Sequence, residues 1–230
     1  MRHDYQRSES FRATAMLAVA GGFLDAYTYL CRGQVFANAQ TGNMVLLAVR
    51  LAEGSWAQAF HYLMPILAFA LGVLTTEGLR RRLSSGRVHW RQPILAAECL
   101  VILVVSFLPQ GDLDALANVL IAFTSAIQIE SFRKFAGCGC ATTMCTGNLR
   151  SGTEHLFRWL HHREGTSGRS ALVYYGLILS FVAGAVLSGL LTPLFGTRTV
   201  LTACLLITPA LAVTGSPEVS APSAILMEKS

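Results

Sequence analysis

The chain contains the same polar motif twice, and this duplication limits the folds that it can adopt. The first copy, at 37–43, reads Ala-Asn-Ala-Gln-Thr-Gly-Asn, and the second, at 142–148, reads Thr-Thr-Met-Cys-Thr-Gly-Asn. Gly147 therefore follows Gly42 by 105 residues. Further acids and cysteines match at the same offset: Asp25 with Glu130, and Cys99 with Cys204. We interpret the pattern as an internal duplication, which determines the architecture.

The composition indicates a polytopic membrane protein. The chain is 53% hydrophobic and 13% charged, with a mean hydropathy of +0.48, whereas roughly a quarter of the residues in a soluble domain are charged. The net charge of +5 comes from short basic clusters beside apolar segments, which is typical of orientation signals at a membrane surface. We therefore expect membrane lipid around the chain and no nucleic-acid partner. The six scattered cysteines are expected to be free thiols.

Apolar segments predict an all-α membrane protein with six spans and two shorter helices. A span of about 20 residues reaches ~30 Å, which matches the hydrocarbon core. The predicted spans are 11–30, 56–79, 94–108, 116–132, 171–191 and 199–213, and the shorter helices are 41–51 and 146–160. A polar break precedes each of the two shorter helices. The first break, at 31–40, contains polar groups that lipid cannot satisfy, so we expect protein or water around it. Thr41 or Asn38 is the expected N-cap of the helix that follows.

Charge distribution predicts how the helices are oriented. If the two shorter helices do not cross, the N-terminus and the basic stretches at 80–91, 133–134 and 150–169 share one side. The acidic connection with Asp112 and Asp114 then lies on the other side. The positive-inside rule favours this arrangement, with both termini in the cytoplasm of a bacterial cell and the chain in its inner membrane.

Each repeat then has three spans and a re-entrant half-helix after its first span. Because three is odd, the repeats must be inverted relative to one another. The predicted organisation is a cytoplasmic tail at 1–10, a first membrane repeat at 11–110, a second at 111–214, and a disordered tail at 215–230.

The paired breaks are the candidate solute pathway. Inverted repeats with broken helices at matching places are typical of transporters that bind their solute near the midplane. A half-helix N-terminus offers free N–H groups and a positive dipole end to an anionic or polar group. The candidate residues are Asn38, Gln40, Thr41, Gly42, Asn43, Thr146, Gly147 and Asn148. Alternatively, the small and amide residues only pack two tight helix turns.

Three acids inside predicted spans are candidates for proton or cation coupling. Asp25 and Glu130 are matched by the repeat, and intramembrane acids are expensive unless they are paired, protonated or facing water. The alternative is that each acid caps its neighbouring break, or lies beside Arg32 or Arg133. Glu98 has no acidic counterpart, and it either contributes specificity or forms a salt bridge to a basic loop.

Catalytic and metal-binding patterns are weak. Cys138, Cys140 and Cys145 do not have the spacing of a structural zinc site, and packing of small residues is the preferred explanation. The chain contains no arrangement of Ser, His and Asp that rises above chance. We therefore expect no metal or other cofactor and no enzymatic activity.

Two sequence runs carry a resemblance to a known family. The run Gly-Gly-Phe-Leu-Asp-Ala-Tyr-Thr-Tyr starts at Gly21, and the run Phe-Ala-Asn-Ala-Gln-Thr-Gly-Asn-Met starts at Phe36. Together they resemble the YoaK-type family of uncharacterised bacterial multi-pass inner-membrane proteins, over about 11–213. The resemblance implies an integral membrane protein and supplies no substrate.

Two functional hypotheses follow. The first is a secondary transporter or permease for a small polar or anionic solute, driven by protons or cations. Because six spans are few for a complete alternating-access transporter, this hypothesis includes a homodimer. The second is a non-transporting membrane scaffold or partner-binding subunit. A transporter predicts that conservative changes at the breaks abolish flux and leave folding intact.

Overall fold

The computed structural model describes residues 11–83, 91–132 and 143–214, and the regular elements of these residues are α-helices and one 3₁₀ turn. In chain order, the helices are α1 Phe11–Cys31, α2 Gln40–Ala52, α3 Trp56–Leu83, α4 Arg91–Ser106, α5 Asp114–Ser131, α6 Cys145–His162, α7 Gly165–Phe195 and α8 Leu201–Thr214. The 3₁₀ turn, Gly196–Val200, leads directly from α7 into α8. The two predicted tails and most of the second break lie outside the described residues.

Each predicted apolar segment is a helix, with its ends moved by a few residues. The largest difference is α7, which extends beyond its predicted segment at both ends. The prediction that Asn38 or Thr41 caps α2 is wrong. The N-cap is Ala39, which makes no side-chain cap hydrogen bond, and Thr41 already lies within the helix.

Length and hydropathy support fewer complete spans than the six predicted. Among the described residues, three stretches are long and apolar enough to cross a membrane: Phe11–Cys31, Trp56–Arg81 and Gly165–Ala210. The last contains α7 and most of α8, and Gln92–Ser106 is a shorter apolar helix. α5 is not among them, and its buried face includes polar residues: Asn118, Thr124, Ser125, Gln128 and Glu130. A helix surrounded by other helices does not need the apolar surface that lipid requires.

The first helix of each half packs mainly against helices of the other half. α1 packs against α7 and α8, and α5 packs against α3 and α4. The half-helix α2 lies on α3, α6 lies on α7, and α4 contacts α8. The core is fully buried where α1, α4, α5 and α8 meet, at Phe23, Ile102, Ile121 and Ile207.

Glycines allow the two main helix crossings to be close. A methyl group at Gly22 of α1 would clash with the carbonyl of Phe181 on α7, and one at Gly184 would clash with the carbonyl of Val19. At the crossing of α3 and α5, a methyl group at Gly72 would lie 2.5 Å from the carbonyl oxygen of Phe123. Small residues let helix backbones approach in this way.

Candidate functional site

The first break folds back onto the middle of α1. Its turn uses positive φ at Gly33 (79°) and Gln34 (60°). The backbone N–H of Asn38 donates to Oδ1 of Asp25 at 2.5 Å, and its side-chain Nδ2 donates to the carbonyl of Gly21 at 3.0 Å. Asn38 therefore links the first break to α1 by hydrogen bonds and is not the N-cap that the sequence predicts.

Asn43 holds the first break closed. Its Nδ2 donates to the carbonyl of Phe36 at 2.7 Å, while its Oδ1 accepts from the N–H of Phe36 at 2.9 Å. The same Nδ2 also donates to Oε1 of Gln40 at 2.9 Å, and Gln40 donates to the carbonyl of Ala37 at 2.9 Å. Asn43 is fully buried, so the structure gives it a direct role in shaping the loop.

The second break reaches the same point on α1. A methyl group at Gly21 would clash with Cγ2 of Thr143 and would lie 3.8 Å from Nδ2 of Asn38. Asn38 and Thr143 match at the repeat offset of 105 residues. The structure therefore brings matching residues of the two breaks together at Gly21, next to the N-termini of α2 and α6.

The other candidate pathway residues differ in burial. Thr41, Thr146 and Gly147 are exposed, and Gly42 lies against the ring of Phe36. Asn148 is buried in the first turn of α6, where its backbone N–H donates to the carbonyl of Met144 at 3.0 Å.

Asp25 lies at the N-terminal end of α2. The carboxyl group is buried, and the backbone amides of residues 37–39 surround it. Its Oδ2 has no hydrogen-bond partner among the described residues, and neither has Oδ1 of Asn38. The thiol of Cys145, the first residue of α6, lies within electrostatic range of Asp25. The positive ends of the two half-helices thus stabilise a negative charge at this position.

Glu130, the repeat counterpart of Asp25, has a different environment. Its Oε1 lies 3.8 Å from Nη1 of Arg80, and Arg80 also pairs with Glu77 on the same helix, α3. The structure therefore places Glu130 against a cation and Asp25 against backbone amides. Arg133 and Lys134 lie outside the described residues.

Glu98 is separated from the breaks. It is only 1% exposed, and neither carboxyl oxygen has a partner among the described residues. It lies on α4, which contacts α5, α8 and the 3₁₀ turn and, within the described part of the chain, neither half-helix. The structure thus brings Asp25 but not Glu98 to the meeting point of the breaks.

Arg32 forms a buried network that the sequence does not predict. A guanidinium group has five N–H donors, and all five N–H groups of Arg32 donate hydrogen bonds. The acceptors are Tyr27 Oη at 3.0 Å, Asp114 Oδ1 at 3.0 Å, and the carbonyl oxygens of Val105, Leu108 and Pro109 at 3.1, 3.0 and 3.1 Å. Burial acts to lower the pKa of Arg32, but hydrogen bonding to Asp114 and Tyr27 outweighs it and raises this pKa above its usual value.

Arg32 could have been recognised from its position. It follows the first span directly, on the side that the charge pattern assigns to Asp112 and Asp114. An isolated arginine on the acidic side suggests a paired residue and not an orientation signal. The partner of Arg32 is Asp114 and not Asp25. Of the alternatives for Asp25, the structure therefore favours the one in which this residue caps the neighbouring break.

The described cysteines do not form a metal site. Cys31, Cys99, Cys145 and Cys204 are free thiols, and no group of three His, Cys, Asp or Glu side chains among the described residues could hold a metal ion. Cys138 and Cys140 lie outside the described residues.

Comparison with known proteins gives the family. The model of a family described as "Protein of unknown function (DUF1275)" matches residues 13–214. The chain is also 26% identical over 192 residues to UPF0700 transmembrane protein YoaK of Bacillus subtilis, covering 79% of this chain and 83% of that protein. No solved structure matches it. The resemblance that the sequence predicts is confirmed: this chain is an integral membrane protein and belongs to the DUF1275 family.

Proposed function

We propose that the chain is a secondary transporter or permease for a small polar or anionic solute. In this proposal α1, α3, α4, α5, α7 and α8 cross the membrane as two inverted three-helix repeats. The half-helices α2 and α6 enter from opposite sides. The observation that carries the proposal is the contact of Asn38 and Thr143 with Gly21, because it joins the two half-helix N-termini at the middle of α1.

The packing supports a two-fold relation between the repeats. In the two repeats α1 corresponds to α5, α3 to α7, and α4 to α8. The contact of α1 with α7 is therefore equivalent to that of α5 with α3, and the contact of α1 with α8 is equivalent to that of α5 with α4. The contact of α2 with α3 becomes that of α6 with α7. With three spans per half, such an axis lies in the membrane plane, as in other inverted-repeat transporters.

Unpartnered polar atoms support a solute site at the meeting point. A buried polar group without a hydrogen bond is unfavourable by roughly 1–3 kcal/mol, and Asp25 and Asn38 each have one such oxygen among the described residues. Irregular backbone inside a membrane is tolerated where it lines a water-filled cavity. A polar solute or water at this point could supply the hydrogen bonds that both oxygens lack.

Topology is tested by cysteine accessibility in intact cells. Single cysteines are placed on a cysteine-free background at Gln40 and at position 145, with Gly111 and His162 as the external and internal references. Gly111 is in the α4–α5 connection, and His162 ends α6. A membrane-impermeant maleimide should reach Gln40 from outside and Cys145 from inside. Labelling of both positions from one side would overturn the inverted arrangement.

Transport itself is tested by flux into proteoliposomes containing the purified full chain. Formate, nitrate, urea and glycerol serve as small anionic and neutral probes. We expect flux of at least one probe above that of protein-free vesicles, and a reduction of at least about tenfold in Asn38→Ala, equivalent to about 1.4 kcal/mol in the barrier. The control is Glu53→Gln, at the exposed end of α2. Wild-type flux equal to that of empty vesicles for all four probes would overturn transport and favour the scaffold.

A further inference from the structure

The carboxyl group of Asp25 lies where the N-termini of α2 and α6 approach each other. It accepts the N–H of Asn38 at the N-terminus of α2, and the N-terminus of α6 approaches the same region through Thr143 and Cys145. Amide groups and helix dipoles that bind one carboxylate suit another carboxylate equally well. An anionic solute and the Asp25 charge would therefore compete for the same donors.

Resting on the proposed function, we infer that Asp25 is an internal competitor of the solute, and that a small monocarboxylate binds at the N-termini of α2 and α6 when Asp25 is protonated. One proton binds to the carboxylate of Asp25 and removes its charge. The solute anion then accepts the amide hydrogen bonds that Asp25 releases. One proton is taken up with each anion, and the charge of the site does not change.

The unpartnered atoms at the site match this inference. Asp25 is 4% and Asn38 is 8% exposed, so both side chains are more than nine-tenths buried. Oδ2 of Asp25 and Oδ1 of Asn38 are both acceptors, and neither has a donor among the described residues. What the pair lacks is a hydrogen-bond donor, and protonation of the carboxyl group supplies one.

The titratable and charged groups around Asp25 include His61 of α3, whose Nε2 lies 3.2 Å from the carbonyl oxygen of Gly33 in the first break. Elements packed against α1, and the N-terminus of α6, carry few titratable or charged side chains. Glu130 of α5 lies against Arg80, and Asp114 of α5 is paired with Arg32. The others are Arg169, Tyr174 and Tyr175 of α7, Arg198 of the 3₁₀ turn, Cys204 of α8 and Cys145 of α6.

The experiment measures equilibrium binding of radiolabelled formate to the purified full chain between about pH 5 and pH 8, a range in which formate stays ionised. In the wild type, affinity should fall by up to tenfold for each pH unit once Asp25 is deprotonated. Asp25→Asn should bind formate with an affinity independent of pH. Glu53→Gln should behave as the wild type.

Two further measurements keep the test decisive. Asp25→Ser is a second variant with a neutral side chain at this position, and it replaces Asp25→Asn if that variant does not elute as a folded species. Proton uptake by the wild type in weak buffer should be one proton for each formate bound. Equal pH dependence in wild type and variants, pH-independent binding by the wild type, or no formate binding at any pH would each overturn the inference. Flux of another probe would leave the transport proposal standing in all three cases.

Discussion

The thiol of Cys204 donates to the carbonyl oxygen of Cys99 at 3.5 Å, and the two cysteines are 105 residues apart in the chain. That separation equals the offset between the two Thr-Gly-Asn motifs. Residues that match in a repeat can touch one another only near an axis that relates the two halves. Under the proposed two-fold relation, the contact between α4 and α8 lies near the axis that relates the two halves.

This contact predicts an intramolecular crosslink. In a variant that retains only Cys99 and Cys204, oxidation by iodine should join the two residues. A protease site inserted after His162 allows the product to be detected, because the cleaved halves should stay together until a reductant is added. A variant that retains only Cys145 and Cys204 is the control, because these residues lie on opposite sides of the inserted site and, in the described part of the chain, α6 does not contact α8. Fragments that separate after oxidation would contradict the packing of α4 on α8.

The Arg32 network predicts a large loss of stability on truncation. Arg32→Ala leaves the carboxylate of Asp114 and three carbonyls without their cation, and removing one partner of a buried ion pair destabilises by about 3–5 kcal/mol. Arg32→Lys should be intermediate because lysine has three donors in place of five. Thermal unfolding in detergent measures both effects.

A matched control for Arg32 lies on α2. Arg50 pairs with Glu53, and both side chains are partly exposed, so Arg50→Ala should change stability by less than about 1 kcal/mol. If Arg32→Ala unfolds at the same temperature as Arg50→Ala, the network does not stabilise the fold as described.

Two glycines of α7 predict opposite effects of the same substitution. Gly184→Ala would force α1 and α7 apart, because the new methyl group meets the backbone of Val19. Overpacking of this kind typically destabilises by about 1–3 kcal/mol. Gly189 has open space at its Cβ position, so Gly189→Ala should stabilise by up to about 1 kcal/mol through helix propensity. Equal unfolding temperatures for the two variants would contradict the close crossing.

Local patterns predict the helices well because hydropathy and charge depend on residues that are close together in the sequence. Gly72 and Gly184, which lie 112 residues apart in the chain, have the same structural role, because each allows a close helix crossing. Arg32 could not be placed in this way, because its acceptors come from Tyr27 and from residues 105–114. Such long-range contacts depend on how α1, α4 and α5 pack.

The same limit explains the errors at the first break. Asn38 was a reasonable N-cap by residue type, but the path of the loop directs its side chain to Gly21. Glu98 was correctly placed within a helix. Its distance from the breaks follows from the packing of α4 against α5 and α8, which the repeat alone does not predict.

The final prediction separates structural from pathway roles within the first Thr-Gly-Asn motif. Asn43→Ala removes three hydrogen bonds of a fully buried residue and should destabilise by about 1–3 kcal/mol. Thr41 is exposed, so Thr41→Ala should change stability by less than about 0.5 kcal/mol. Thermal unfolding is measured first, and proteoliposome flux is then compared at a temperature where both variants are folded. A loss of flux in Thr41→Ala at unchanged stability would place Thr41 on the solute pathway, because the variant leaves the loop intact. An unfolding temperature of Asn43→Ala equal to that of the wild type would show that Asn43 does not hold the break closed.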